Sequence, residues 1–260
     1  MKTLSYFFVF LMMIFAPGNL LAQDSTATER DQFLELKQEL NTAIDASNRQ
    51  EVARIGYAME PFFDHSDLKK YARYYAGYAW YRMYNLPAED GSEPDEKFLD
   101  RSINHLEKAV DIDPDFAEAY ALLGSTFGMK ATGMFSGMRY GPKSQSATDK
   151  AKELSPENPR VYMIEGTGNI YKPSMFGGGL DNAMTSLQKA AELFRTFEPQ
   201  NELAPDWGHA EVYAWIGQVY AKQENYQQAK EAYEQALQVD SDYGWVKYQL
   251  LPSVQQQLNE

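Results

Sequence analysis

Few residues of this chain have the types and spacing that catalysis or metal binding requires. Its three histidines are His65, His105 and His209, and none has a second histidine or a pair of acids at metal-ligand spacing. There is no HExxH motif and no Gly-x-Ser-x-Gly motif. Cysteine is absent, which excludes disulfides, thiolate catalysis and zinc–thiolate sites. The sequence therefore predicts no enzyme activity, no metal and no cofactor.

Glu165 and a run of three glycines are further candidates for polar chemistry. Glu165 occupies a position that is apolar in the equivalent segments of the chain, so a carboxylate buried there needs a hydrogen-bond partner or a raised pKa. We expect a buried polar residue held by a loop amide or by a lysine such as Lys143, with a ligand contact as the alternative. The glycines, residues 177–179, precede a helix start. Asp181 would repel an anion there and no Gly-Lys-Ser/Thr follows, so they predict a turn.

A stripe of aromatic residues is the third candidate. Tyrosines recur at spacings of three and four with an arginine beside them, namely Tyr71, Tyr74, Tyr78, Tyr81 and Arg82. Residues at this spacing share one face of a helix. Tyrosine combines contact area with a hydroxyl group, so the stripe predicts a partner-binding surface. Packing within the core is the alternative.

The elements that must position these residues follow an internal repeat. The clearest unit consists of the pattern Tyr213-x-x-Ile216-Gly217-x-x-Tyr220 and then the pattern Tyr226-x-x-Ala229-x-x-x-Tyr233-x-x-Ala236. We expect Gly217 and Ala229 to face each other where the two helices cross. Related patterns recur upstream, as Tyr120-x-x-Leu123-Gly124-x-x-Phe127, as Tyr162-x-x-Glu165-Gly166, and around Gly77 between Tyr71 and Tyr84. The apolar period is helical throughout, which predicts an all-α protein.

Over residues 65–243 the chain resembles the tetratricopeptide repeat (TPR) family. The resemblance implies a right-handed superhelical solenoid of antiparallel helix pairs with a concave groove, and it places the tyrosine stripe and Arg82 in that groove. Residues 23–64 read as a degenerate N-terminal helical pair. Residues 244–260 read as a C-terminal capping helix, because a solenoid must cover its last apolar face.

Two segments, residues 129–143 and 171–180, are longer than a turn between paired helices needs, and they predict inserted loops. Equivalent loops of neighbouring repeats emerge on the same edge, so we expect the two to form one patch that binds a partner. A private mini-core, in which the loops pack on each other or over the helices, is the alternative. The residues of this predicted patch are Met134, Phe135, Met138, Arg139, Tyr140, Lys172, Met175 and Phe176.

The ends and the charge of the chain bear on its location. Lys2 precedes an apolar run over residues 4–15 that is too short to span a bilayer comfortably, and Ala22 fits a cleavage site. We predict a signal peptide over residues 1–22 and export to the periplasm or outside the cell, with an uncleaved anchor as the alternative. The net charge of −13 argues against nucleic acid as a partner. No later segment is apolar enough to cross a membrane.

These observations favour an exported TPR scaffold that binds a protein or peptide in the cell envelope. The alternative is a small-molecule or lipid-binding component of an envelope uptake system, similar to the TPR-type T-components of TRAP transporters. That alternative would take a small hydrophobic or anionic ligand. A purely structural scaffold is a third possibility.

Overall fold

The computed structural model describes residues 20–88 and 91–259, with side chains from residue 29 onward. The described residues form eleven α-helices and no strand, which confirms the predicted all-α class. The helices are α1 (Leu20–Asp45), α2 (Arg49–Ala58), α3 (Lys69–Asn85), α4 (Lys97–Ile112), α5 (Ala117–Lys130), α6 (Met134–Leu154), α7 (Pro159–Tyr171), α8 (Leu180–Phe194), α9 (His209–Lys222), α10 (Tyr226–Val239) and α11 (Leu251–Asn259). The predicted signal peptide falls almost entirely on residues 1–19, which lie outside the described residues.

Consecutive helices pack as antiparallel pairs, and the pairs stack in chain order. The main pairs are α3 with α4, α5 with α6, α7 with α8 and α9 with α10, and α1 with α2 opens the stack. Contacts of α2 with α3, α4 with α5 and α8 with α9 join neighbouring pairs. Local signals set several boundaries. Asn158, for example, accepts a hydrogen bond from the Arg160 amide, and Pro159 opens α7 because the first helical residue needs no N–H donor.

A glycine in the first helix of each main pair lets the second helix approach closely. A Cβ atom built on Gly217 would lie 2.2 Å from the Tyr233 ring. The three atoms nearest to that Cβ position all belong to Tyr233, which follows the predicted partner Ala229 by one turn of α10. The other pairs repeat the arrangement with Gly77 against Leu106, Gly124 against Thr148 and Gly166 against Leu187.

The C-terminal end of the stack is covered. A π-helical turn (Val246–Leu250) leads into α11, and the buried side chains of Tyr243, Val246 and Val254 join a cluster with Ala229 and Tyr233 of α10. This cap removes the last apolar helix face from water, as a solenoid requires.

One predicted insertion has a different form in the structure. The sequence predicts a loop over residues 129–143, but α6 begins at Met134, so only the short link before it is irregular. Gly133 caps this helix, because its N–H donates to the Ser136 hydroxyl at 2.8 Å. The extra residues therefore lengthen a helix. Of the second predicted insertion, by contrast, residues 172–179 form the link between α7 and α8 and contain one 3-10 turn (Ser174–Phe176).

Across the described residues, no helix combines the length and the apolar character that a bilayer crossing would demand.

Candidate functional site

The face of α3 that the TPR resemblance places in the groove is covered by another part of the chain. The connection between α8 and α9, residues 195–208, contains no helix and crosses back over α3 and α1; we call it the groove segment. All four tyrosines of the stripe are buried, since Tyr74 and Tyr78 are no more than 1% exposed and Tyr71 and Tyr81 no more than 8%. The groove segment contacts Tyr71, Tyr74 and Tyr78, whereas the Tyr81 hydroxyl lies 3.4 Å from Ser125 of α5. The predicted open, tyrosine-lined groove is therefore wrong for this structure.

The tyrosines hold the groove segment through both rings and hydroxyl groups. Trp207 stacks on Tyr78 with ring centroids 4.6 Å apart, and its Nε1 donates to the Tyr74 hydroxyl at 3.2 Å. The Tyr75 hydroxyl donates to the Leu203 carbonyl at 3.1 Å. Burial raises the pKa of Tyr74 and Tyr78 well above the usual value, so these hydroxyls stay protonated.

Basic side chains of α1 hold two acidic residues of the groove segment. Arg30 pairs with Glu202 at 2.6 Å, and Lys37 pairs with Asp206 at 2.8 Å. Lys37 Nζ also donates to the Glu202 carbonyl at 2.7 Å. These contacts join residues more than 160 positions apart, so the first helix and the connection before the fourth main pair form one packed unit.

Arg82 also joins distant parts of the chain. Its side chain is only 13% exposed, and its guanidinium lies 2.6 Å from Glu211 of α9, which also accepts a hydrogen bond from Trp215 at 3.3 Å. A largely buried ion pair of this kind requires both partners, because either charge left alone would be costly. The predicted role of Arg82 in partner binding is thus replaced by an internal ion pair.

Glu165 has internal partners as well. Its Oε1 lies 2.5 Å from Lys152 Nζ, and its Oε2 accepts from the Ser186 hydroxyl at 3.1 Å. The prediction that a lysine pairs with Glu165 is confirmed, but the partner is Lys152. The lysine named from the sequence, Lys143, lies over the Phe127 ring. Glu165 is half-buried and not fully buried, so water contributes to its solvation.

The described residues expose one conspicuous group of apolar side chains, at the tips of two neighbouring helix pairs. We call this group the hairpin-tip surface. Its members and their exposed fractions are Met134 (79%), Phe135 (86%), Met138 (75%), Tyr171 (69%), Met175 (83%) and Phe176 (63%). Side chains this exposed do not form the mini-core that was the alternative prediction.

The geometry of α6 directs part of this surface toward the α7–α8 link. Met134, Met138 and Gln145 share one face of α6, because their spacings of four, seven and eleven residues return to the same side of a helix. Gln145 accepts a hydrogen bond from Lys172 of the link at 3.4 Å. Met138 lies about 10 Å along the axis from that bridge. The two halves of the hairpin-tip surface therefore belong to the same edge of the solenoid.

Two further residues of the predicted patch divide between surface and interior. Tyr140 is half-buried and stacks on Phe127 with centroids 6.1 Å apart, so it supports α6 and does not offer a free ring. Arg139 is exposed, with its guanidinium 5.2 Å from the Tyr140 ring. Arg139 of α6 and Lys172 of the link are basic neighbours of the two tips on a chain whose net charge is −13, whereas Lys143 lies over the Phe127 ring.

Glycines shape the second tip. Gly177 and Gly179 have φ values of +83° and +104°, which L residues rarely adopt. A Cβ atom on Gly178 would lie 1.9 Å from the Lys172 carbonyl oxygen. The three glycines thus fold the link tightly against the end of α7. That tight turn leaves Met175 and Phe176 projecting from it.

Comparisons with known proteins support the fold. Residues 210–243 match the tetratricopeptide repeat family. The structure resembles the HusA haemophore from Porphyromonas gingivalis (20% identity, TM-score 0.58, 80% of this chain and 96% of that chain). It also resembles a thermophilic TPR protein from Thermus thermophilus (13% identity, TM-score 0.59, 85% and 99% of the two chains). No curated protein sequence gives a significant match. At these identities the likeness establishes the fold.

Proposed function

Because this chain carries a tetratricopeptide repeat and has the fold of TPR proteins, we propose that it is an exported binding protein that docks a protein partner on its hairpin-tip surface. TPR folds are interaction scaffolds, and in this one residues 195–208 cover the tyrosine face of α3 that the resemblance assigned to the groove. A partner must then use another surface.

The main observation in support of this docking site is the concentration of exposed apolar side chains. Among the described residues, seven large apolar side chains are more than 60% exposed, and six of them belong to the hairpin-tip surface. Isolated exposed apolar residues are ordinary on a soluble protein, but a local concentration marks an interaction site.

The chemistry of the surface fits a protein partner. Phe135 and Phe176 are aromatic anchors of the kind that dominate binding energy when a partner's pocket encloses them. The three methionines are unbranched and polarizable, so they adapt to an irregular apolar surface. Arg139 and Lys172 beside the two tips would favour a partner with acidic groups around an apolar centre.

Export is the part of the proposal that rests on the sequence alone. The basic and apolar N-terminus and Ala22 support a cleaved signal peptide, so the mature chain would start at Gln23. N-terminal sequencing of the protein recovered from cell fractions tests this. Intact Met1 in a membrane fraction would replace secretion by an anchored form.

The binding proposal is tested with Phe135→Ala combined with Phe176→Ala. Both side chains are mostly in water, so the double variant should fold with a stability within about 0.5 kcal/mol of the parent for each change. Tyr248→Ala is the matched control, since Tyr248 is 72% exposed but lies on the C-terminal cap. Partners identified from envelope extract with the parent chain should be lost by the double variant and kept by the control.

Equal recovery of the same partner by all three proteins would refute this docking site. A drop in the melting temperature of the double variant would point instead to a packing role for the two rings.

A second candidate function is binding of a small apolar anion at the same surface. It is favoured by the fold shared with a haemophore and by the cations beside the exposed aromatic and methionine side chains. A flat apolar molecule with carboxylates, such as haem, would meet both features. Absorbance titration with haemin, using the parent chain, the double variant and the Tyr248→Ala control, tests this candidate. No spectral change with the parent chain would exclude it.

A further inference from the structure

Arg160 is buried without an acidic partner. It is the second residue of α7 and is 1% exposed, and its Nε and Nη1 atoms have no hydrogen-bond partner. The guanidinium also forms no ion pair with any carboxylate of the described residues. Arg82, whose side chain is also largely buried, has Glu211 at 2.6 Å. The charge of Arg82 is therefore neutralised by an internal ion pair, whereas the charge of Arg160 is not.

Aromatic rings enclose the Arg160 guanidinium on several sides. Its Cζ lies 5.6 Å from the Phe194 ring, 5.1 Å from the Phe197 ring and 5.7 Å from the Trp207 ring. Such contacts attract a cation through the ring quadrupole, but a ring face cannot accept the in-plane hydrogen bonds that a guanidinium donates. The aromatic rings therefore offset part of the hydration that the Arg160 guanidinium loses on burial, but they leave its N–H donors without acceptors.

The surroundings of Arg160 favour an anion. Its backbone lies in the first turn of α7, where amides carry partial positive charge, and the Asn158 cap satisfies one of them at 3.0 Å. The positive charge of Arg160 also opposes the rise that burial causes in the pKa of Tyr74 and Tyr75. The acid of the groove segment closest in sequence to Trp207 is Asp206, and it is already paired with Lys37 at 2.8 Å.

We propose that Arg160 anchors a binding site for a small amphiphilic carboxylate, whose head group takes the unused guanidinium donors. Its apolar part would lie among Phe194, Phe197 and Trp207. This site is separate from the hairpin-tip surface and does not depend on the function proposed there.

The groove segment supplies the cover of this site. Phe197 and Trp207 both belong to it, and its 14 residues form a long connection without a helix. Connections of this length in a compact domain are commonly functional. Gly208 at its end has φ of +109°, so the segment turns into α9 through a conformation that favours glycine. A ligand would reach Arg160 when the segment moves away from α7.

Octanoate is the probe, with octan-1-ol as the uncharged control of equal chain length. Octanoate should raise the melting temperature of the full mature chain and give a saturable signal in calorimetry, and octan-1-ol should do neither. Arg160→Met should weaken octanoate binding at least tenfold. The same variant without ligand should melt at or above the parent temperature, because it removes an unpaired buried charge.

Two variants separate a binding role from a structural one. Arg160→Lys keeps the charge and should retain measurable octanoate binding. Phe197→Ala should open the cover and speed octanoate association while the head-group preference over octan-1-ol persists, and it remains informative if Arg160→Met does not fold. The Phe135→Ala and Phe176→Ala double variant should bind octanoate as the parent does, which keeps this test independent of the partner test.

A lower melting temperature of Arg160→Met together with unchanged octanoate affinity would overturn the proposal. The guanidinium would then be a structural cation that holds the aromatic residues of the groove segment. Equal response to octanoate and octan-1-ol would overturn it as well, since no anion would be recognised.

Discussion

Gly217→Ala is a one-carbon test of how the helix pairs close. The added Cβ would lie 2.2, 2.5 and 2.9 Å from three ring carbons of Tyr233, where ordinary contact begins near 3.4 Å. The ring therefore has to move by about 1 Å, yet it is 1% exposed and its hydroxyl accepts from Gln218 at 3.1 Å. Overpacking a tight core costs about 1–3 kcal/mol, and alanine regains up to about 1 kcal/mol of helix propensity.

We expect a net loss of about 1–2 kcal/mol. For a chain of this size that lowers the melting temperature by roughly 2–8 °C. Gly168→Ala is the matched control, because Gly168 is also in a first helix but has no neighbouring atom within 4 Å of its built Cβ. That change should raise stability by up to about 1 kcal/mol. Thermal and urea unfolding of both variants measure the difference.

To test whether the Tyr233 ring causes the loss of stability, Gly217→Ala is also made in the Tyr233→Ala protein. If the clash with the ring produces the loss, Gly217→Ala should cost little in the Tyr233→Ala protein, and the double-mutant cycle should show a coupling above about 0.5 kcal/mol. Additive effects, or a Gly217→Ala protein as stable as Gly168→Ala, would refute the close approach of α9 and α10 at this point.

Three further changes probe the interior. Burial raises the pKa of Asp45 to about 6, so the stabilising contribution of Asp45 is present below about pH 4 and is lost as the pH rises through 6. Asp45→Asn should therefore raise the melting temperature at pH 7.5, by the equivalent of about 1–2 kcal/mol, and leave it unchanged near pH 4. Burial lowers the pKa of His105 to about 4, so stability should fall as the pH drops from about 6.5 to 4, and His105→Gln should flatten that decline in acid unfolding curves. Trp207→Ala should cost about 3–5 kcal/mol and speed amide hydrogen exchange across residues 195–208, and unchanged exchange there would mean that the ring does not hold the segment.

The candidate site shows where reasoning from sequence stops. The spacing of Tyr71, Tyr74, Tyr78 and Tyr81 placed the tyrosines on one helix face, and the structure shows the first three in contact with the groove segment. The sequence of residues 195–208 has no repeat and no periodicity, so nothing in it indicated the surface that it covers. The burial of Arg160 was missed for the same reason, since its enclosing rings come partly from that segment.

The sequence by itself determined the helices and their pairing. Apolar residues at helical spacing and a glycine opposite a larger side chain are local signals, and residues 210–243 carry them in a form that matches the repeat family. The tertiary structure decided which surfaces remain free. Contacts such as Arg30 with Glu202 and Arg82 with Glu211 join residues 172 and 129 positions apart, and they hold the groove segment against α1 and α9 against α3. The sequence also did not indicate the form of residues 134–143, which belong to α6 although the segment contains Gly137, Gly141 and Pro142. Local periodicity sets each element, whereas the function of a surface depends on which distant part of the chain comes to cover it.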